Sequence, residues 1–259
     1  MGPSPRGDVE PLENLVKFGS LGGRWSSGGG RRFEMGASFA VTLAKGRALK
    51  FISHHDLART FERMLRRSGL PYELTKGYHK RPRISFSPAL PLGLTSNCEV
   101  AVISLREPLD PEEVKRRLSE QAPRGLKIVK VERDGDKWKW LFAQDLWAEY
   151  VLNVEFKGAP RMDPYKIASE IEGSAEVVVS SPKGEGVNIR PGIASLEVLS
   201  RDGRRARFRA VLQVVGKRTV GPFELLKAIE DLGGPTESAH ICRIRFLRFP
   251  EVAERGDER

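Results

Sequence analysis

The 259-residue chain has two cysteines, four histidines and no long apolar run. Cys98 and Cys242 are too few for a disulfide framework and read as the reduced thiols of a cytoplasmic protein. The chain also lacks a three-cysteine cluster of the kind that ligates one class of iron–sulfur centre. No stretch of 18 or more apolar residues occurs, so no membrane-crossing helix is expected. The N-terminus also lacks the apolar core of a signal peptide. His-Glu-x-x-His and paired Cys-x-x-Cys spacings are missing. A metal site made from the histidines with Asp56, Cys98 and Glu99 therefore has no spacing to support it, and none is assigned. Gly93-Leu94-Thr95-Ser96 and Gly184-Glu185-Gly186 match neither a phosphate loop nor a dinucleotide fingerprint, and read as turns. Carboxylates are short as well. There are 34 against 44 Lys and Arg, for a formal net charge of +10. The first 35 residues hold five basic and four acidic groups and the last ten hold two and four, which leaves +11 for residues 36–249. A positive excess on the folded part fits a polyanionic partner, of which RNA is the commonest.

What is present concentrates in Phe51 to Glu99. Ser53-His54-His55-Asp56 is a helix start, with Ser53 at N-cap and Asp56 at N3 of a capping box. Leu57, Phe61, Met64 and Leu65 then form one apolar stripe, and at about 100° per residue Arg59, Arg63, Arg66 and Arg67 fall opposite. Gly69 and Pro71 stop the helix. Beyond it, Lys76, Lys80, Arg81 and Arg83 add charge around Tyr72 and Tyr78 in a proline-punctuated loop. Only Asp56 and Glu62 oppose these cations locally. Guanidinium groups would contact phosphates, and Tyr78 would stack an unpaired base.

The same residues carry a resemblance. Phe-x-Ser-His-x-Asp-Leu-x-Arg from Phe51, Arg-Arg-x-Gly-Leu-Pro from Arg66, Pro-Arg-Ile-Ser-Phe from Pro82 and Gly-x-x-Ser-x-x-Glu from Gly93 resemble the radical SAM-linked protein family (domain of unknown function 2344). The likeness is dense from about Phe39 to Leu105 and returns at Asn188-Ile189-Arg190-Pro191 and near Arg218. His55 stands where the family usually has Leu, and Tyr78-His79-Lys80-Arg81-Pro82 where it has Asn-Pro-His-Pro. The resemblance implies a partner: members are encoded beside, or fused to, a radical-SAM enzyme. Any iron–sulfur cluster and S-adenosylmethionine would then belong to that enzyme, and this chain would carry no cofactor.

In order, residues 1–37 are rich in Gly, Ser and Arg and are expected to be disordered. Met35 stands just before the first strand, which makes residues 1–34 a candidate extension. Phe39, Val41 and Leu43 alternate as a strand. Ile84 to Phe86, Val100 to Leu105 and Leu126 to Val131 supply three more, with a second helix opening at Asp110-Pro111. The second half repeats the pattern, and helix starts near 54, 111, 164 and 222 recur at spacings of 57, 53 and 58. The expected fold is α+β: two tandem ferredoxin-like (β-α-β-β-α-β) domains with antiparallel sheets, at 38–133 and 149–249. Between them, 134–148 holds Trp138, Trp140 and Trp147 and is expected to pack rather than swing. Residues 250–259 form a tail.

Three functions follow as expectations. The first is an RNA-binding accessory protein that presents tRNA or rRNA to the radical-SAM enzyme. It would use Arg59, Arg63, Arg66, Arg67, Lys76, Tyr78, Lys80, Arg81 and Arg83, with Arg190 and Arg218 on later loops. The second is an RNA endonuclease or processing enzyme, with His54, His55, His79 and Lys76 as acid–base groups. The third is a protein adaptor that docks the enzyme through the tryptophan segment without touching RNA. On the second half, Arg205, Arg207, Arg209, Arg243 and Arg245 are expected to face outward and pair with Glu149 and Glu155 in a cross-strand ladder.

Overall fold

The computed structural model describes residues 36–76, 78–133, 135–142, 145–180, 186–217 and 219–248. The expected disorder of the N-terminal extension, the 250–259 tail and the role given to Arg218 lie on residues outside this set, Gly36 and Ala37 excepted. The elements are β1 (Ala37–Lys45), α1 (His54–Arg67), β2 (Ile84–Phe86), β3 (Thr95–Leu105), α2 (Pro111–Glu120), β4 (Leu126–Arg133), β5 (Leu146–Phe156), α3 (Pro164–Gly173), β6 (Val178–Ser180), β7 (Gly186–Asn188), β8 (Ile193–Asp202), β9 (Arg205–Val215), α4 (Pro222–Gly233) and β10 (Thr236–Leu247). None of the helices is long and apolar enough to cross a membrane.

The fold is α+β, with four α-helices and one mixed eight-stranded sheet among the described residues. Its order is β4-β1-β3-β10-β5-β9-β8, with β2 also paired to β3. Each half lays down its strands in the same order, β4-β1-β3-β2 and β10-β5-β9-β8, with neighbours antiparallel. The sequence, however, led us to expect separate antiparallel sheets. They are joined by a short parallel ladder in which Cys242 pairs with Thr95 and Arg243 with Ser96. This is why β3 begins at Thr95, inside the stretch read as a turn. Thr95 and Ser96 are polar yet buried: Ser96 lies between Lys45 of β1 and Arg243 of β10, and Thr95 pairs with Cys242.

Two cores result. Phe39, Val41 and Leu43 on one face of β1, with Ala101, Ile103 and Leu105 of β3, pack under α1 and α2. Ala40, Cys98 and Val100 face the other way, into a larger core that continues through Leu152, Phe208, Ile167 and Leu225 of the second half. A 3-10 segment, Gly135–Phe142, plugs into this core through Leu141. Trp138 and Trp140 stack 6.2 Å apart against it, and Arg248 lies 4.8 Å from the Trp140 ring. Trp147 is not part of that segment, because it already belongs to β5.

Candidate functional site

The rotation of α1 follows from unequal energies. Leu57, Phe61, Met64 and Leu65 are buried, and each contributes about 1.5–3 kcal/mol. A charge pair on the outer face contributes about 0.2–0.5 kcal/mol. The stripe therefore decides the orientation, and Arg59, Arg63, Arg66 and Arg67 are turned to solvent. The start is capped as expected. Asp56 N–H donates to Ser53 Oγ at 3.1 Å, and the Ser53 hydroxyl donates to Asp56 Oδ2 at 2.7 Å. That second bond, then Arg59 and His55 nearby, holds the Asp56 carboxyl below its usual pKa. Past the C-cap, Gly69 takes a left-handed turn at φ 66° and ends the helix.

The segment after α1 is a hairpin-like excursion. Its base is tied by Arg83 N–H to Glu73 O (2.9 Å) and Thr75 N–H to Arg81 O (2.8 Å), and Glu73 N–H joins it to β3 through Ser104 O. The tip is thereby carried out over the arginine face. Tyr78 is 97% exposed there, with His79 edge-on at 5.1 Å. Helix and tip enclose an open groove of about 480 Å³ lined by Arg59, Glu62, Arg63, Arg66, Tyr78, His79, Lys80 and Arg81. Five cations thus meet one carboxylate. Arg66 is taken by Glu62 in a two-nitrogen contact (2.8 and 3.1 Å), and Arg59 lies 3.8 Å from Asp56. The side chains of Arg63, Lys80 and Arg81 have no ion pair or hydrogen bond among the described residues. Unneutralised guanidinium groups under an exposed phenol are equipped to hold phosphate and a base together.

Other residues singled out in the sequence lie elsewhere. Arg67 reaches the end of α2, donating to Gln121 Oε1 and O at 3.3 and 3.2 Å. Arg83 sits 3.4 Å from Glu73, which adds a third local carboxylate to the two expected, Asp56 and Glu62, and Lys76 is exposed outside the groove. Arg190 has a structural task. It donates to Glu172 O from Nε and Nη2 (3.0 and 2.8 Å) and to Ile193 O from Nη1 (2.8 Å), fastening α3 to the start of β8. The four acid–base candidates are not brought together. His54 stands edge-on to Phe86 at 5.8 Å, its Nδ1 buried without a partner, and burial pushes its pKa down while Glu99 opposes. His55 is near it at 6.2 Å, but no hydrogen bond or ring contact joins either to His79 or Lys76.

The outward ladder holds in part. Arg205 meets Glu155 at 3.3 Å, and Arg209 and Arg245 meet Glu149 at 3.6 and 2.8 Å. Arg243 departs from it. A bulge between Arg243 and Arg245 shifts the register, so Arg243 turns to the opposite face. There it donates to Glu99 Oε1 (3.0 Å), Tyr150 Oη (3.1 Å), Pro88 O (3.1 Å) and Ala89 O (3.0 Å). Nearby, Lys45 is buried and donates to Ile52 O at 3.1 Å. Burial lowers its pKa, with Glu99 opposing. This charged cluster at the β3–β10 junction was not found by reading the sequence. The usable signal was the isolated acidic residue Glu99 within an otherwise apolar strand. Among the described residues, no three His, Cys, Asp or Glu side chains converge as a metal site.

A mixed-sheet α+β protein with a basic groove beside an exposed aromatic tip is the class that fold and geometry define. A family profile described as "Uncharacterized protein conserved in bacteria (DUF2344)" matches residues 39–222, and the chain belongs to that family. No curated protein matches it in sequence. Among solved structures it is similar to a chain of an H/ACA ribonucleoprotein bound to a substrate RNA containing 2'-deoxyuridine, at 14% identity and TM-score 0.45, over 79% of this chain and 46% of that one. A chain of a Cbf5-Nop10-Gar1 complex gives 14% and 0.44 over 79% and 47%, and one of an archaeal box H/ACA Nop10-Cbf5 complex 13% and 0.42 over 79% and 46%. The chain spans a little under half the length of each. At TM-scores this low the likeness carries nothing about what this chain binds.

Proposed function

We propose that the chain is an RNA-binding accessory protein, holding RNA in the groove between α1 and the Tyr78 tip. The observation that carries this reading is the lining itself, five cations against Glu62, with Arg63, Lys80 and Arg81 unpaired among the described residues. Phosphates would lie along these three groups and Arg59, while Tyr78 stacks an unpaired base. Arg66, Arg67 and Arg83 already have protein partners and would serve as secondary contacts; Lys76 would extend the surface. The two halves, each with the strand order fourth-first-third-second, are read as ferredoxin-like units fused edge to edge. The family resemblance supports a role in presenting tRNA or rRNA to a cytoplasmic radical-SAM enzyme, which would supply the cofactor chemistry.

The test is retention of bulk tRNA by the full chain at moderate salt. Arg63→Glu with Arg81→Glu should abolish it, and both side chains are exposed, so their loss breaks no ion pair or side-chain hydrogen bond among the described residues. Unchanged retention would remove the proposal. Whether the enzyme partner is engaged is read separately, by its recovery with the tagged chain after nuclease treatment.

A further inference from the structure

The outward face of the second half carries a cationic groove that this function leaves unused. The register aligns His240 of β10, Asn153 of β5, Arg207 of β9 and Ser200 of β8 in one cross-strand row. One row along, Glu155 of β5 answers Arg205 directly; on the other side Arg209 lies across from Val151 and is met diagonally by Glu149, which also pairs with Arg245. Here the β5 position is Asn153, and Arg207 is exposed with no ion pair or hydrogen bond from its side chain among the described residues. At the β10 end, the turn after β1 brings in Arg47 and Lys50. Together these strands and that turn line a groove of about 550 Å³. Among the described residues the Arg47 side chain has no ion pair either, and the Lys50 ammonium lies over the Phe51 ring at 4.7 Å without an ion pair.

The field in this groove is felt by its own histidine. His240 is held by Thr95 Oγ1 at 3.2 Å, and its pKa is lowered by burial and then by Arg47 and Lys50. The carboxylates lining the groove are Glu155, already met by Arg204 at 3.1 Å and Arg205 at 3.3 Å, and Asp202. Among the described residues no helix covers this face, since α3 and α4 pack on the opposite one with Leu152, Val154 and Phe208. Among the described residues no aromatic ring lines the groove apart from the His240 imidazole, and the exposed Phe51 ring beside Lys50 lies outside its lining, in contrast to the Tyr78 tip.

We infer that this open sheet face is a second RNA site, in which Arg47, Lys50 and Arg207 contact backbone phosphates while Asn153 and Ser200 reach ribose hydroxyls. The inference rests on the RNA reading of the α1 groove and deepens it. Cations and hydrogen-bonding groups without a stacking ring accept a paired helix as readily as a single strand. The Tyr78 groove, by contrast, needs an unpaired base. Two such sites on one chain specify RNA that has both a stem and an unpaired segment.

The experiment uses the full chain with two probes, an unstructured oligouridylate and a fully paired RNA duplex, each titrated across a salt series. Wild type is compared with Arg47→Ala/Arg207→Ala and with Arg63→Ala/Arg81→Ala, with melting temperature as the folding control. Removing two phosphate contacts should lower the duplex slope of log affinity against log salt by about 1.8 in the sheet variant, at about 0.9 per contact. The α1 variant should chiefly lose oligouridylate. Duplex affinity and slope unchanged in the sheet variant, with oligouridylate lost in the α1 variant, would overturn the sheet site and leave the first proposal standing. The converse pattern would overturn the first and keep the second. Wild type binding neither probe at low salt would overturn both.

Discussion

Arg243 and Glu99, 144 residues apart in sequence, form an ion pair of 3.0 Å in which each residue is only 1% exposed. It crosses the parallel ladder that joins the halves, and every nitrogen of the guanidinium has a partner. Burial works against the Arg243 charge, but Glu99, with Tyr150 and Cys98, outweighs it and holds the pKa above its usual value.

Removing one member of such a pair leaves an uncompensated buried charge, which costs about 3–5 kcal/mol, whereas replacing both by apolar groups is often close to neutral. Glu99→Leu should therefore destabilise strongly, and Glu99→Leu with Arg243→Met should recover most of the loss. Urea unfolding of the two variants measures the difference. Equal losses would show that Arg243 is held chiefly by Tyr150, Pro88 and Ala89.

Tyr78 is exposed and belongs to neither core, so its removal should leave stability unchanged. On the proposed function, Tyr78→Ala should weaken binding of unpaired RNA by about 1–3 kcal/mol, the range for stacking one base. Tyr78→Phe should retain most of it. Loss in both variants alike would point to the hydroxyl instead of the ring.

Arg190 separates a structural arginine from a binding one. Arg190→Met removes three donations to backbone carbonyls, and hydrogen bonds to charged groups contribute about 1.5–3 kcal/mol each, net of the water they replace. The variant should melt earlier yet bind RNA normally below its transition. A selective loss of binding with unchanged melting would reverse this assignment.

Glu113 accepts from Arg116 and Arg117 on the exposed face of α2, and these bonds bring its pKa down to about 2. A carboxylate depressed on folding adds stability that is fully present above its unfolded pKa of about 4.5 and is lost as pH falls through the folded value. Wild type should thus be more stable than Glu113→Gln at pH 6, with the gap closing between about pH 4.5 and 2. Paired thermal melts across that range test it. A gap independent of pH would mean that the contribution is not electrostatic.

Ser53 caps α1, and Ser53→Ala should cost about 0.5–2 kcal/mol. Because α1 carries half of the groove, the same variant should weaken RNA binding only near its melting transition. A parallel loss of affinity at low temperature would instead give Ser53 a direct contact.

Local order was legible where a short-range cause produces it. The cap at Ser53, the four buried residues of α1, Pro at the starts of α2, α3 and α4, and the left-handed Gly69 all follow from neighbours within one or two turns. The arginine face followed too, because a helix with one apolar stripe has only one way to turn its charges. Arg67 did not follow. Its partner Gln121 lies 54 residues along the chain, and no local pattern marks that contact.

Arg243 is the clearest failure of alternation. Arg243 and Arg245 share a parity, which on a regular strand puts them on one face. One bulge sends the first into the core and leaves the second outside. The start of β10 carries no local signal either: Glu237, Ser238 and Ala239 are exposed in succession, so both faces of the strand are open to solvent there and no apolar alternation marks it.

By itself, the sequence determined the helices, the strands with a regular apolar phase, the surplus of cations and which arginines must leave the core. These depend on backbone propensity and on burial counted along a few residues. Tertiary structure alone decided that two sheets become one, that Glu99 and Arg243 are buried together, and that the Tyr78 tip closes over Arg63 while Arg207 is left without a carboxylate. Each of those depends on register between distant strands, where a shift of one residue reverses every side chain, and such a shift leaves no local trace.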